Sequence, residues 1–308
     1  MENAHFFSYG MPSAYKHHLL LYQLIILTCF STANKTSTLQ LARLTNALQR
    51  QGRTSTSNYG DGYGGRGITI NPILFHKPAT VIVLHGLGGS ADDWSLFAMA
   101  VMFLDLNYCK FILPSADVAP VSYQSNRKMP SWFNVFGVRE GAKEDKAGLL
   151  KSSNRIYRII QGEIKKGVPS DRIFVMGFSQ GGALALTIYM RSPYKLAGLI
   201  AVSTWLPLVS IYPAELSKAT AKTPILFMNG VKDEAVPIKM ARKSVKVLRK
   251  LKRKVFFVTY PNQAHIIFDK SVALNIQNFI KRYAPGPTRI IQNTIKKIAK
   301  QLTFKSPF

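Results

Sequence analysis

Acidic residues are scarce in this chain. Fifteen Asp and Glu stand against 41 Lys and Arg over 308 residues, a formal charge of +26. That excess points towards anionic partners. Cysteine is scarcer still. Cys29 and Cys109 are the only two, which excludes a disulfide framework and fits a reducing compartment. No clustered His/Cys ligand spacing occurs, so neither a metal nor an organic cofactor is expected. There is no G-x-G-x-x-G or G-x-x-x-x-G-K-[ST] run to cradle a phosphate, and no internal repeat. Nucleic-acid recognition motifs and aromatics interleaved with the basic residues are also missing, so no nucleic acid is expected despite the charge. The mostly apolar run Leu19–Phe30 has only twelve residues, too few to span a bilayer comfortably.

What is present is Gly177-Phe178-Ser179-Gln180-Gly181-Gly182. A strand-like run, Arg172 to Met176, precedes it, and a helical run, Ala183 to Met190, follows. Strand, G-x-S-x-G, helix is the sequence form of a nucleophile elbow. The serine occupies a sharp, strained turn, and the flanking glycines remove Cβ atoms that would obstruct it. The helix N-terminus beneath the serine favours developing negative charge.

A serine hydroxyl is a weak nucleophile and needs a base, which in turn needs an orienting acid. The chain order expected after such an elbow is acid, then histidine. Pro224 to Gly230 reads as a buried strand ending in a glycine turn, with Asp233 and its acidic neighbour Glu234 just beyond it. Val255 to Tyr260 reads as the next strand, and His265 lies in the loop that follows. Of the six histidines, only His265 lies downstream of Ser179 and Asp233. An oxyanion hole requires backbone N–H donors. One is expected from Gln180, the residue after the nucleophile. The second is expected from the turn His85-Gly86-Leu87-Gly88-Gly89, which follows the strand-like Thr80 to Leu84; Leu87 is the first choice and Gly88 the alternative.

From Thr80 to about Ala284 the chain resembles the acyl-protein thioesterase and lysophospholipase-like carboxylesterases, a branch of the α/β-hydrolases. The resemblance is carried by six blocks in order: His85 to Gly88, Met129 to Phe133, Gly167 to Ile173, Gly177 to Leu184, Leu196 to Leu199 leading to Trp205-Leu206-Pro207-Leu208, and Asp233 with Val236-Pro237. It implies hydrolysis of a long-chain acyl thioester on protein cysteine, or of an acyl ester on a lysophospholipid. It also implies Ser179, Asp233 and His265 as the triad, Leu87 and Gln180 as oxyanion donors, and Trp132, Met129, Trp205 and Leu206 as residues that meet the substrate. The stretch Val121 to Met129 becomes a loop over an acyl channel. The chain departs from the family pattern at Gly89 and Asn134, each of which replaces an Asp, at Val231 in the segment before Asp233, and at Asn262 and Ile266 around the histidine. These departures keep open a second class of function, a catalytically inactive fold that binds lipid or protein.

Strand-like runs near 81–84, 111–114, 172–176, 197–203, 224–229 and 255–260 alternate with helical ones. That spacing predicts an α/β fold with a mostly parallel sheet covered by helices on both faces. Glu144 to Gly167 reads as a long helix with Leu150, Ile156, Ile159, Ile160 and Ile164 on its apolar side. The catalytic domain is expected over 68–284. Before it come an N-terminal extension, 1–67, with the apolar segment 19–30 and a Gly/Ser/Asn/Tyr-rich linker over 52–67; after it comes a basic tail, 285–308. The domain holds 30 basic and 13 acidic residues, a net +17. Its densest basic run is Lys239 to Lys254, nine of sixteen residues, with Ala241, Val245, Leu248 and Leu251 at helical spacing. Its polar side reads either as a solvated face or as an attraction to an anionic membrane surface. The expected location is cytoplasmic with membrane association, or the secretory pathway if residues 1–33 act as a signal peptide.

Overall fold

The computed structural model describes residues 66–73, 77–103, 106–265 and 270–287. The apolar segment 19–30, the linker over 52–65 and the tail beyond Pro287 lie outside the described residues.

Seven strands form the main sheet: β1 (Gly67–Ile70), β2 (Ala79–Leu84), β3 (Cys109–Pro114), β6 (Ile173–Phe178), β7 (Gly198–Val202), β8 (Ile225–Gly230) and β9 (Val255–Tyr260). Their order is β1-β3-β2-β6-β7-β8-β9. β1 runs antiparallel to β3, and every other neighbouring pair is parallel. β2, β7 and β8 are buried at every position, which is why they read as largely apolar runs rather than alternating ones. Two further strands, β4 (Val118–Val121) and β5 (Arg127–Pro130), pair with each other as an antiparallel hairpin. The segment expected to be a loop over 121–129 is therefore largely the turn and second strand of this hairpin. The prolines and charges in V-A-P-V and R-K-M-P hide it from a search for apolar alternation.

Among the described residues, five α-helices cover the two faces. Ile82 and Leu84 of β2 point to a core shared with α2 (Lys146–Lys165), α3 (Gln180–Arg191) and α4 (Ile238–Lys250). Val81 and Val83 point the other way, towards α1 (Ala91–Phe103) and α5 (Lys270–Tyr283). Both faces of the sheet are thus sealed, as the alternating pattern predicts. The α2 core stripe is Leu149, Ser153, Ile156, Ile159 and Ile160; Leu149 takes the buried place expected for Leu150. Asp145 caps α2, its carboxylate accepting the Gly148 N–H at 2.9 Å. α4 buries Ala241, Val245 and Leu248, so its basic residues fall on the opposite side.

The chain leaves β2 towards β3 on one side, but leaves β6 towards β7, β8 and β9 on the other. The topological switch therefore falls between β2 and β6, where an open α/β sheet leaves a crevice beyond its strand ends. The glycine turn and the Ser179 turn both emerge there.

Candidate active site

Ser179 is held at φ 51°, ψ −119°, an unusual backbone conformation for a residue with a side chain. Its neighbours fix it from three sides. The Ser179 N–H donates to the Val202 carbonyl at 2.9 Å. The Thr204 hydroxyl donates to the Ser179 carbonyl at 2.7 Å. A Cβ on Gly177 would lie 2.2 Å from the Gly181 carbonyl oxygen, and one on Gly181 would lie 2.3 Å from the Leu84 carbonyl oxygen. The two glycines of G-x-S-x-G therefore let the elbow fold on itself and press against the end of β2.

His265 and Asp233 meet Ser179 from the ends of β9 and β8. His265 Nε2 lies 3.0 Å from Ser179 Oγ. His265 Nδ1 lies 2.9 Å and 3.0 Å from the two Asp233 oxygens. Asp233 can only accept here, so the proton sits on Nδ1 and Nε2 faces the serine hydroxyl as an acceptor. The Asp233 side chain is fully buried, and that of His265 is 25% exposed. Glu234, the other acid considered, is exposed. The Val236 N–H donates to Asp233 Oδ1 at 2.7 Å, and the Asn229 amide donates to the Gly230 carbonyl at 3.0 Å with Asp233 Oδ2 at 3.4 Å. The Phe178 ring packs beside the His265 imidazole at 4.9 Å.

The glycine turn is held by a residue that sequence reasoning left as a turn filler. His85 is buried; its Nδ1–H donates to the Gly86 carbonyl at 2.7 Å, and its Nε2 accepts the Ala116 N–H at 2.9 Å. Burial draws its pKa down to about 4, so the imidazole is neutral and ties the turn to the end of β3. The Trp132 indole N–H donates to the His85 carbonyl at 2.8 Å, with the rings 4.9 Å apart. In the same turn, the Gly88 N–H donates to the Pro130 carbonyl at 2.9 Å. Gly88 is thereby engaged, whereas Leu87 sits half-buried between Gly86 and Gly88.

Gln180 does more with its side chain than its position after the nucleophile suggests. The buried carboxamide donates to Ser131 Oγ at 2.8 Å and to the Phe133 carbonyl at 2.7 Å, and accepts the Trp132 N–H at 3.1 Å. The Ser152 hydroxyl donates to the Trp132 carbonyl from α2. Met129 reaches the turn as well, its sulfur 3.7 Å from where a Gly88 Cβ would be.

The four residues expected to meet the substrate thus separate into two groups. Met129 and Trp132 border the glycine turn. Trp205 and Leu206 line a cleft of about 660 Å³ between the 133–145 segment and α4.

Two departures from the family pattern have local explanations. Asn134 accepts the Ser122 N–H and donates to Ser122 Oγ, both at 2.9 Å; an Asp there could only accept. At Gly89, the space beside the backbone is taken by Asp93, whose Oδ2 would lie 3.0 Å from a Cβ on Gly89. That oxygen accepts the Ser90 N–H at 2.7 Å, a capping contact at the start of α1. Ile266 lies outside the described residues.

Cys109 is buried, and burial pushes its thiol up to about 12, so it offers no thiolate to compete with Ser179. Among the described residues no group of His, Cys, Asp and Glu could hold a metal ion, and no helix is long and apolar enough to cross a membrane.

Comparison with known proteins bears on the family and the fold. Residues 70–284 match the Phospholipase/Carboxylesterase family. Acyl-protein thioesterase 1 of Schizosaccharomyces pombe is 36% identical over 205 residues, 66% of this chain and 90% of the relative. That of Mycosarcoma maydis is 35% identical over 235 residues, 71% and 97%. Among solved structures, Arabidopsis thaliana SOBER1 is similar with a TM-score of 0.64 at 29% identity, covering 67% of this chain and 99% of that one. Zea mays acyl-protein thioesterase 2 has a TM-score of 0.62 at 25% identity, covering 70% and 100%.

Proposed function

The chain belongs to the phospholipase/carboxylesterase family of α/β-hydrolases, and from that premise we propose that it is a serine hydrolase that removes long-chain acyl groups from protein cysteine thioesters. The observation that carries this reading is the unbroken series Ser179, His265, Asp233, with contacts of 3.0 and 2.9 Å, at the switch point of the sheet. The thioesterase names of relatives at 35–37% identity supply the substrate class.

The steps follow from the proton positions. His265 Nε2 takes the Ser179 proton as Oγ attacks the acyl carbonyl. Asp233 holds Nδ1–H and stabilises the imidazolium. The carbonyl oxygen, now an anion, is received by the Leu87 and Gln180 amides, each worth about 3 kcal/mol of barrier on the scale of oxyanion donors. Engagement of the Gly88 amide by Pro130 supports Leu87 as the donor from the turn. His265 then protonates the departing cysteine sulfur. Water, deprotonated by the same imidazole, attacks the acyl-serine and releases the fatty acid. No step calls for a metal or an organic cofactor.

The family description also names phospholipases, which supports a second reading: cleavage of the acyl ester of a lysophospholipid by the same three residues. Either substrate resides at a membrane. The exposed side of α4 carries Arg242, Lys246, Arg249 and Lys250, which supports attraction to anionic lipid at about 1 kcal/mol per basic residue near the surface. A cytoplasmic location at such a surface fits the unpaired, buried Cys109.

The test is a fluorophosphonate probe on wild type and Ser179→Ala, followed by parallel turnover of a palmitoylated peptide, a lysophospholipid and short p-nitrophenyl esters. Labelling lost in Ser179→Ala, with the palmitoylated peptide turned over best, is the expected result. An unlabelled wild type would leave only a binding module, and exclusive turnover of short esters would end the thioesterase reading.

A further inference from the structure

The 660 Å³ cleft lies outside the triad, yet the backbone ties it to the elbow. Thr204 binds the Ser179 carbonyl. The next residues, Trp205 and Leu206, form one wall of the cleft. The Leu206 N–H donates to Ser244 Oγ of α4 at 2.9 Å. A single short segment therefore joins the nucleophile to the helix that lines one wall.

The lining has a consistent chemistry. α4 contributes Lys239, Met240, Lys243, Ser244 and Val247, spacings that put all five on one side of the helix. The facing segment contributes Phe136, Arg139 and Lys143. Phe136 is 37% exposed and Val209 39% exposed among the lining residues. The carboxylates in the cleft are already occupied. Glu144 accepts the Leu208 N–H, Asp145 accepts the Asn134 and Gly148 N–H groups, and Glu140 pairs with Lys243 across the gap. Four cations, Arg139, Lys143, Lys239 and Lys243, stand against these three carboxylates, a net charge of +1, and the carboxylates of Glu144 and Asp145 are turned to backbone N–H groups. A concave, partly apolar trough with cations on both sides admits an extended chain, whereas a bilayer is flat and meets the outward side of α4 instead.

Building on the thioesterase reading, we infer that this cleft is an accessory site for the polypeptide that carries the S-acyl cysteine, and that it selects segments combining acidic and apolar residues. The apolar floor takes aromatic or aliphatic side chains, and the cationic rims take Asp and Glu. A flanking carboxylate can displace Glu140 from Lys243, exchanging one ion pair for another. Polybasic flanks meet like charge on both walls and are disfavoured.

The test uses the full chain and three S-palmitoylated peptides with acidic, neutral or basic flanks, together with their unacylated, fluorescently labelled counterparts. The expected kcat/KM for the acidic peptide exceeds that for the basic one by about tenfold at low salt and converges with it at high salt. Lys239→Glu with Arg139→Glu removes the preference, while Arg242→Glu with Arg249→Glu, exposed residues on the side of α4 turned away from the lining residues, retains it. Anisotropy of the unacylated acidic peptide reads the cleft without chemistry. Peptide binding with no hydrolysis of any acyl substrate would sustain the cleft and sink the thioesterase reading. Hydrolysis with equal rates for all three peptides would overturn the cleft. Equal peptide rates together with vesicle binding (phosphatidylserine in phosphatidylcholine) that falls in the Lys239/Arg139 variant would overturn it in favour of a lipid surface.

Discussion

The Gln180 carboxamide accepts the Trp132 backbone N–H at 3.1 Å, so the residue that follows the nucleophile also fixes the strip carrying Trp132. Trp132 in turn supports the His85 carbonyl, and His85 supports the glycine turn. The two proposed halves of the oxyanion hole are thus cross-braced by side chains that need not touch the substrate.

Gln180→Leu tests the brace while leaving the residue 180 backbone amide in place. The exchange leaves the Trp132 N–H and Phe133 carbonyl without that partner in a buried site. The expected destabilisation is about 2–4 kcal/mol. Ser179 remains reactive towards a fluorophosphonate, while kcat falls by about tenfold as the turn loosens. Thermal unfolding and single-turnover kinetics measure the two effects. An unchanged Tm would mean that the carboxamide is dispensable.

Asp233→Asn separates orientation from packing. Asn Oδ1 can still accept the Val236 N–H, which Asp233 receives at 2.7 Å. Its amide, however, presents a donor to His265 Nδ1 and favours the tautomer with the proton on Nε2, which cannot accept from Ser179. A fall in kcat of about 10³–10⁴ with little change in Tm is expected. Retention of more than a tenth of wild-type kcat would remove Asp233 from the mechanism.

His85 makes stability depend on pH. Its folded pKa is drawn down to about 4 from 6.5 by burial. Between those values the unfolded chain binds the extra proton, so the contribution is fully present above pH 6.5 and is lost as pH falls towards 4. The loss is on the order of 3 kcal/mol. His85→Gln keeps a donor and an acceptor but cannot titrate. Urea unfolding at pH 7.5, 6 and 5 is expected to show wild type losing stability relative to this variant; parallel curves would contradict the assignment.

Much of this was legible before any coordinates. The G-x-S-x-G run announced the elbow, because only glycine tolerates the 2.2 and 2.3 Å approaches found at Gly177 and Gly181. The order serine, acid, histidine pointed to the residues that converge. Other features gave weaker signals. α1 is apolar on most sides, A-D-D-W-S-L-F-A-M-A-V-M-F, so it lacks a helical period. The polar β4–β5 hairpin resembled a loop. Leu150 and Leu149 are adjacent, and a period count alone does not choose between them. The supporting roles of His85 and Gln180 depend on contacts between distant segments, which no local pattern encodes.

The departure at Gly89 yields a prediction about coupling. A Cβ there would lie 3.0 Å from Asp93 Oδ2, and burial raises the Asp93 carboxyl pKa above its ordinary value. Restoring the acid of the family pattern with Gly89→Asp would force two carboxylates into one small space, at an expected cost of about 1–2 kcal/mol. Asp93→Asn keeps an acceptor for the Ser90 N–H, bonded at 2.7 Å, and removes the charge. The double variant is therefore expected to recover most of the loss, with a coupling of about 1 kcal/mol in a double-mutant cycle read by urea unfolding. Simple additivity would show that the Asp93 carboxylate does not fill the place vacated at residue 89. A Gly89→Asp protein more stable than wild type would show the same.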